Sequence, residues 1–242
     1  MSEIMWSSVD NNPINVVPPI PNLDIMSFDE DSFAVAFSAL MSNNLLFALI
    51  ECKHALSRYC SEYPVSTLAE YDLCTHEIED SVIPKKMSKD FPPHTKGCKC
   101  RAPSDVEAVR WFALKSFVLF RMVHVKKVSH EEHNIKRVRS MFLQVPRIIH
   151  LYGLCNTEEF AYLKMECKLK YAILTIDYLP ENPWKAWKML KSLRYTKLQN
   201  DTTSRALITA YLSKAEGACM MYYLRGLKRK NEKRNNAAAA CE

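Results

Sequence analysis

Along most of this chain, apolar residues recur every three or four positions, the spacing of a helix with one buried face. Phe33, Phe37, Leu40 and Met41 make a first stripe. Leu45, Leu49, Cys52, Leu56 and Cys60 make a second, with Asn43-Asn44 as the break between them. A third, shorter helix is expected from Thr67 to Ile78. Farther on, Val106, Val109, Phe112, Ala113, Phe117, Phe120 and Val123 share one face, and Trp111, Leu114 and Val118 fill the others. A helix apolar nearly all round belongs in the middle of a core. Ile135, Val138, Met141, Phe142 and Val145 predict a helix ending at Pro146, and Phe160, Leu163 and Cys167 begin another. Tyr171–Ile176 fits either its continuation or a strand. Trp184, Trp187, Leu190 and Leu193 stripe a short helix whose tryptophans are expected in the core. Leu207, Tyr211, Ala215, Ala218 and Tyr222 mark a last long helix, from about Thr202 to Leu227.

Start signals agree with these stripes. Ser27 with Glu30, Thr67 with Glu70, Ser104 with Glu107 and Ser129 with Glu132 have capping-box spacing, in which hydroxyl and carboxylate each satisfy an orphan backbone N–H. Asn156 with Glu159 has the same spacing, and Asn182-Pro183 combines an N-cap with a proline at the first helical position. Only four glycines occur, where ordinary usage of about 7% would place several times as many, so the tight turns of a strand-rich fold are poorly supplied. The fold class is therefore all-α: an irregular multi-helix bundle with a disordered N-terminal arm and a basic C-terminal tail.

Prolines divide the chain. Residues 1–26 read as a disordered acidic arm, because Pro13, Pro18, Pro19 and Pro21 prevent a helix and Pro18-x-x-Pro21 favours polyproline II. A helical segment follows at 27–80. Residues 81–103 form a basic, proline-broken loop or linker carrying Pro84, Pro92, Pro93, Gly97 and Pro103. The main helical domain spans 104–227, and 228–242 is a basic, low-complexity tail. No repeat of domain-building length is visible.

Charge is segregated along the same line. The first 52 residues hold seven acids and no Lys or Arg, a charge of −7, so with +6 overall residues 53–242 carry +13. A cationic body of this kind attracts a polyanion or an acidic partner. The arm alternates large apolar groups with acids in Leu23-Asp-Ile-Met-Ser-Phe-Asp-Glu-Asp-Ser-Phe33. Leu23, Ile25, Phe28 and Phe33 are its candidate anchors on a protein partner. The competing expectation is that the arm packs on its own body.

The N-terminal sequence MSEIMWSSVDNNPIN has neither a basic n-region nor an apolar h-region, and nine cysteines without such a signal read as reduced thiols. The stretch Trp111–Val125 is too short and too charged, with Lys115, Arg121 and His124, to span a bilayer. The expected localisation is intracellular, in nucleus, cytoplasm or both. Neither GxGxxG nor GxxxxGK[ST] nor GxSxG occurs, which removes the common nucleotide-cradling and serine-nucleophile routes. No catalytic residue is assigned, and a non-enzymatic protein is expected.

One constellation could hold a metal. Cys74, His76, His94, Cys98 and Cys100 offer soft and borderline ligands in two short-spaced groups, and a structural zinc would give the proline-broken linker a reason to fold. Five candidates for four places, none with the common C-x2-C spacing, weigh against it. No other cofactor is expected. His124, His130 and His133 do not form HExxH, and His130-Glu-Glu-His133 suits an exposed first helical turn.

From Trp184 onward there are thirteen Lys or Arg against four acids. Lys185, Lys188 and Arg194 accompany Trp184, Trp187 and Tyr195, and Arg225, Lys228, Arg229, Lys230, Lys233 and Arg234 follow Tyr222 and Tyr223. Cations neutralise phosphates and aromatics stack on bases, so these are the candidate nucleic-acid contacts, for RNA or DNA. Lys126, Lys127, Lys136, Arg137 and Arg139 form a second basic patch. The expected function is nucleic-acid association, with the arm docking a protein partner. The alternative is an interaction adaptor without nucleic acid: a matrix-like or host-hijacking viral structural or accessory protein, zinc-organised in one version. Homo-oligomerisation is left open.

Overall fold

The computed structural model describes residues 30–73, 102–124, 132–179 and 183–239. All regular structure among them is helical: eight α-helices and two 3-10 turns, with no strand. The arm 1–26, residues 74–80 with the end of the expected third helix, residues 81–101 of the linker, and Ser27 and Ser129 as caps lie outside the described residues. The helices fall into two compact units, divided between Cys167 and Lys168.

In the first unit, α1 (Glu30–Met41) ends as the paired asparagines predict. Asn43 takes a left-handed backbone at φ +64°. The Asn44 N–H reaches Ala39 O at 2.8 Å and the Asn43 N–H reaches Leu40 O at 3.1 Å, which closes a Schellman turn. Asn44 then precedes α2 (Leu45–Glu62), which buries Leu45, Leu49, Cys52, Leu56 and Tyr59. α3 (Thr67–Leu73) starts one residue earlier in capping terms than its sequence suggests. The Ala69 N–H donates to Ser66 Oγ at 3.2 Å, so Ser66 is the cap and Thr67 the first helical residue.

α4 (Asp105–His124) is the central helix and packs against α1, α2 and α5. Its start has the expected capping box: the Ser104 N–H donates to Glu107 Oε2 at 2.6 Å and the Glu107 N–H to Ser104 Oγ at 3.4 Å. Every residue from Trp111 to Val123 is buried, as a helix apolar all round requires. Burial of side chains such as Phe112, Phe117 and Phe120 stabilises by about 1.5–3 kcal/mol each. Phe117 and Phe120 meet Phe142 of α5 edge-on, at 5.6 and 5.9 Å.

α5 (Glu132–Leu151) does not end at Pro146. The buried row Val138, Met141, Phe142 and Val145 continues through Ile148 and Ile149, so packing on the far side holds the helix together across a residue that cannot donate. Gly153, at φ +68°, then turns the chain. α6 (Glu158–Tyr178) is capped by Thr157, whose Oγ1 accepts the Phe160 N–H at 3.4 Å, in place of the predicted Asn156. Glu159 is engaged elsewhere: its two oxygens accept from Arg110 Nε and Nη2 of α4 at 2.8 and 2.7 Å. The ambiguous stretch Tyr171–Ile176 is helix.

The second unit contains the end of α6, then α7 (Pro183–Leu193), a 3-10 turn (Lys197–Asn200) and α8 (Thr202–Ala239). α7 packs on α8. Asp201 caps α8, accepting the Ser204 N–H at 2.7 Å. Tyr211 of α8 donates to Asp177 of α6 at 2.5 Å. α8 continues past Leu227, where the periodicity predicts its end, to Ala239, so the cationic run is helical.

Candidate nucleic-acid interface

α7 is laid down by four small or apolar residues at helical spacing. Pro183, Ala186, Leu190 and Leu193 are buried, and Pro183 is the first helical residue, where its missing N–H has no intrahelical partner to lose. That register turns Trp184, Lys185, Lys188, Lys191 and Ser192 outward. The tryptophans are therefore not core residues as expected: Trp184 is 42% exposed and Trp187 half-buried. Their rings stand edge to face, 6.1 Å apart at 84°.

Lysines surround this aromatic pair. Lys191 Nζ lies 4.9 Å from the centre of the Trp187 ring, and Lys185 Nζ lies 5.1 Å from that of Tyr171 on α6. Lys168, Trp184, Lys185, Lys188, Met189 and Ser192 line an open depression of about 400 Å³. No carboxylate is among the residues lining it. An open, cationic depression with an accessible indole suits an anionic, partly planar ligand, since lysines can neutralise phosphate and an indole can stack on a planar ring.

Of the other candidate contacts, Arg194 is exposed just after α7, and Arg225, Lys228, Arg229, Lys230 and Lys233 are exposed on α8. Arg234 lies in the same helix. Spaced along a helix as they are, these cations surround its axis instead of forming one face. Lys228 and Glu232 approach to 4.0 Å, an exposed pair worth little. None of these residues lines the depression. In the second basic patch, Lys136 is tied to Glu132 one turn before it, and that hydrogen bond holds the Glu132 carboxyl below its usual range.

Leu23, Ile25 and Phe28 lie outside the described residues. Phe33 is half-buried in α1, its ring edge-on to Trp111 at 5.1 Å, so it packs on the body of its own chain. Cys74, His76, His94, Cys98 and Cys100 also lie outside the described residues. Among those described, no group of three or more His, Cys, Asp or Glu could hold a metal ion, and no helix is long and apolar enough to cross a membrane.

Two features escaped the sequence reading. Lys168 joins the depression from α6, seventeen residues before Lys185. Met220, Met221, Tyr222, Tyr223, Leu224 and Leu227 are all exposed on α8. From the sequence, Tyr222 is expected on the helix's apolar face and Tyr222 and Tyr223 beside the cationic run; exposure of the whole apolar run is what the structure adds. Comparison with protein-family models, with curated proteins and with solved structures finds no match for this chain.

Proposed function

We propose that this protein is a non-enzymatic, intracellular nucleic-acid-associated protein of the nucleus, the cytoplasm or both, and that α7 provides its contact with unstacked bases and their phosphates. One observation carries the reading: Trp184 stands exposed at an open depression rimmed by Lys168, Lys185 and Lys188. Stacking tolerates any base, and the lysines read charge, so the proposed specificity is for single strands over sequence. The cations of α8 add attraction at longer range. The acidic N-terminal segment is proposed to dock a protein partner through Leu23, Ile25 and Phe28.

The test is fluorescence anisotropy with labelled single-stranded oligonucleotides. Three lysine–phosphate contacts give a salt slope of about −2, so affinity should fall roughly twentyfold between about 50 and 200 mM salt. No binding at the low-salt end, or binding indifferent to salt, refutes the reading. The second reading is an interaction adaptor that binds protein and no nucleic acid, and it is favoured by the exposed apolar run of α8. It predicts salt-insensitive capture of a protein partner and no oligonucleotide binding.

A further inference from the structure

We infer that the C-terminal half of α8 is a self-association surface, on which two copies of the chain pair antiparallel about Tyr223. After Cys219 no residue of α8 whose side chain is described is buried. Residues 220–239 amount to about 30 Å of helix. Met220, Tyr223, Leu224 and Leu227 recur at i, i+3, i+4 and i+7, so they share one face, and they are 60, 56, 49 and 39% exposed. This seam is not the continuation of the helix's own packed side. Ile208, Leu212, Ala215 and Cys219 form that side, and its continuation falls on Tyr222, Gly226, Arg229 and Lys233.

Charge selects the occupant. Glu216 lies seven residues before Tyr223 and Lys230 seven residues after it, each two turns away and nearly in line with it. Both are exposed. An antiparallel pair centred on Tyr223 therefore sets Glu216 of each copy against Lys230 of the other, at both ends of the apolar seam. It also brings Met220 to within one residue, about 1.5 Å, of the level of Leu227. A parallel pair would set glutamate against glutamate and lysine against lysine. With the two-fold axis across the helices, the seam is self-complementary in charge. An anionic membrane would be drawn to the cations from Arg225 to Arg234 but would leave Glu216 unmatched, and the vesicle measurement below separates it from a second copy. The inference stands whether or not α7 binds nucleic acid.

Sedimentation velocity of the full chain, freed of nucleic acid by nuclease and high salt, tests it. The wild type should show a concentration-dependent monomer–dimer equilibrium. Leu224→Arg with Leu227→Arg should be monomeric at every concentration, with an unchanged circular dichroism spectrum because both residues are exposed. Glu216→Lys should weaken dimerisation roughly tenfold, since symmetry counts the contact twice. Adding Lys230→Glu should recover most of that loss. A wild-type chain monomeric throughout, a dimer that survives the two arginines, or a Glu216→Lys defect that Lys230→Glu leaves untouched each overturns the proposal. So does an apolar seam needed for binding anionic vesicles by a chain that stays monomeric.

Discussion

Lys115 Nζ donates to Asp72 Oδ1 at 2.5 Å, and both side chains are buried. This contact ties α3 to the middle of α4. It also explains how a lysine fits into a helix whose neighbouring residues from Trp111 to Val123 are all buried. Taking a charge out of water is costly unless a counter-charge and hydrogen bonds go with it. Removing the carboxylate alone is therefore the damaging change. Asp72→Ala should destabilise the first unit by about 3–5 kcal/mol in urea unfolding. Asp72→Leu combined with Lys115→Met should cost much less. A double variant less stable than Asp72→Ala would show that the ion pair contributes more than mutual charge compensation.

Cys60 lies beside the same pair. Burial pushes its thiol up to about 11, Asp72 adds to the rise, and Lys115 opposes it. Only the thiolate attacks disulfide reagents. At mildly alkaline pH its thiolate fraction should be about a hundredfold below that of an ordinary thiol, and Ellman-type labelling of native protein should be correspondingly slow. Labelling of Cys60 at the rate of a free thiol, located by peptide mapping, would contradict this.

The same residue sets a direction for alkaline stability. A group whose folded pKa is raised keeps its full contribution below its unfolded pKa and loses it as pH climbs through the folded one. For Cys60 that window runs from about 9 to about 11. Tyr59 acts in the same sense: burial, then hydrogen bonds with Tyr152 at 3.0 Å and Asp105 at 2.7 Å, hold its phenol above the ordinary tyrosine value. Thermal melts should be flat up to pH 9 and fall steadily above it. Tyr59→Phe with Cys60→Ala should flatten the fall.

On α7, Trp184→Ala should weaken single-strand binding about 5- to 150-fold, the range expected for loss of one stacked base. Lys185→Glu with Lys188→Glu should lower affinity and also reduce the steepness of its salt dependence. Both variants should keep the wild-type melting temperature to within a few degrees, because the altered side chains are exposed. Unchanged binding in Trp184→Ala would dismiss the stacking role.

At the start of α4, Ser104→Ala should cost about 1 kcal/mol, since Ser104 Oγ accepts the Glu107 N–H. Ser104→Asp should be close to neutral. Asn156→Ala should be silent by the same measurement, because Thr157 is the cap of α6.

Local chemistry made much of the fold legible. Asn43-Asn44 announced the turn after α1 because asparagine tolerates a left-handed backbone. Ser104 with Glu107 announced α4 because both partners of its cap lie within one turn of each other. Where two neighbouring residues could each serve, as at Ser66/Thr67 and Asn156/Thr157, spacing alone chose the wrong one. The carboxylate that seemed to complete the second box, Glu159, is held instead by Arg110, forty-nine residues away. No local pattern reports a partner at that distance.

The helical character of the described chain and the all-round burial of α4 both follow from periodicity and composition within short windows. Tertiary structure decided which way a helix faces when two faces are apolar. Trp184 lost the core to Pro183, Ala186, Leu190 and Leu193. Met220, Tyr223, Leu224 and Leu227 were left outside because α8 outruns whatever packs against its first half. Burial depends on what lies opposite, and that is a property of the assembled helices.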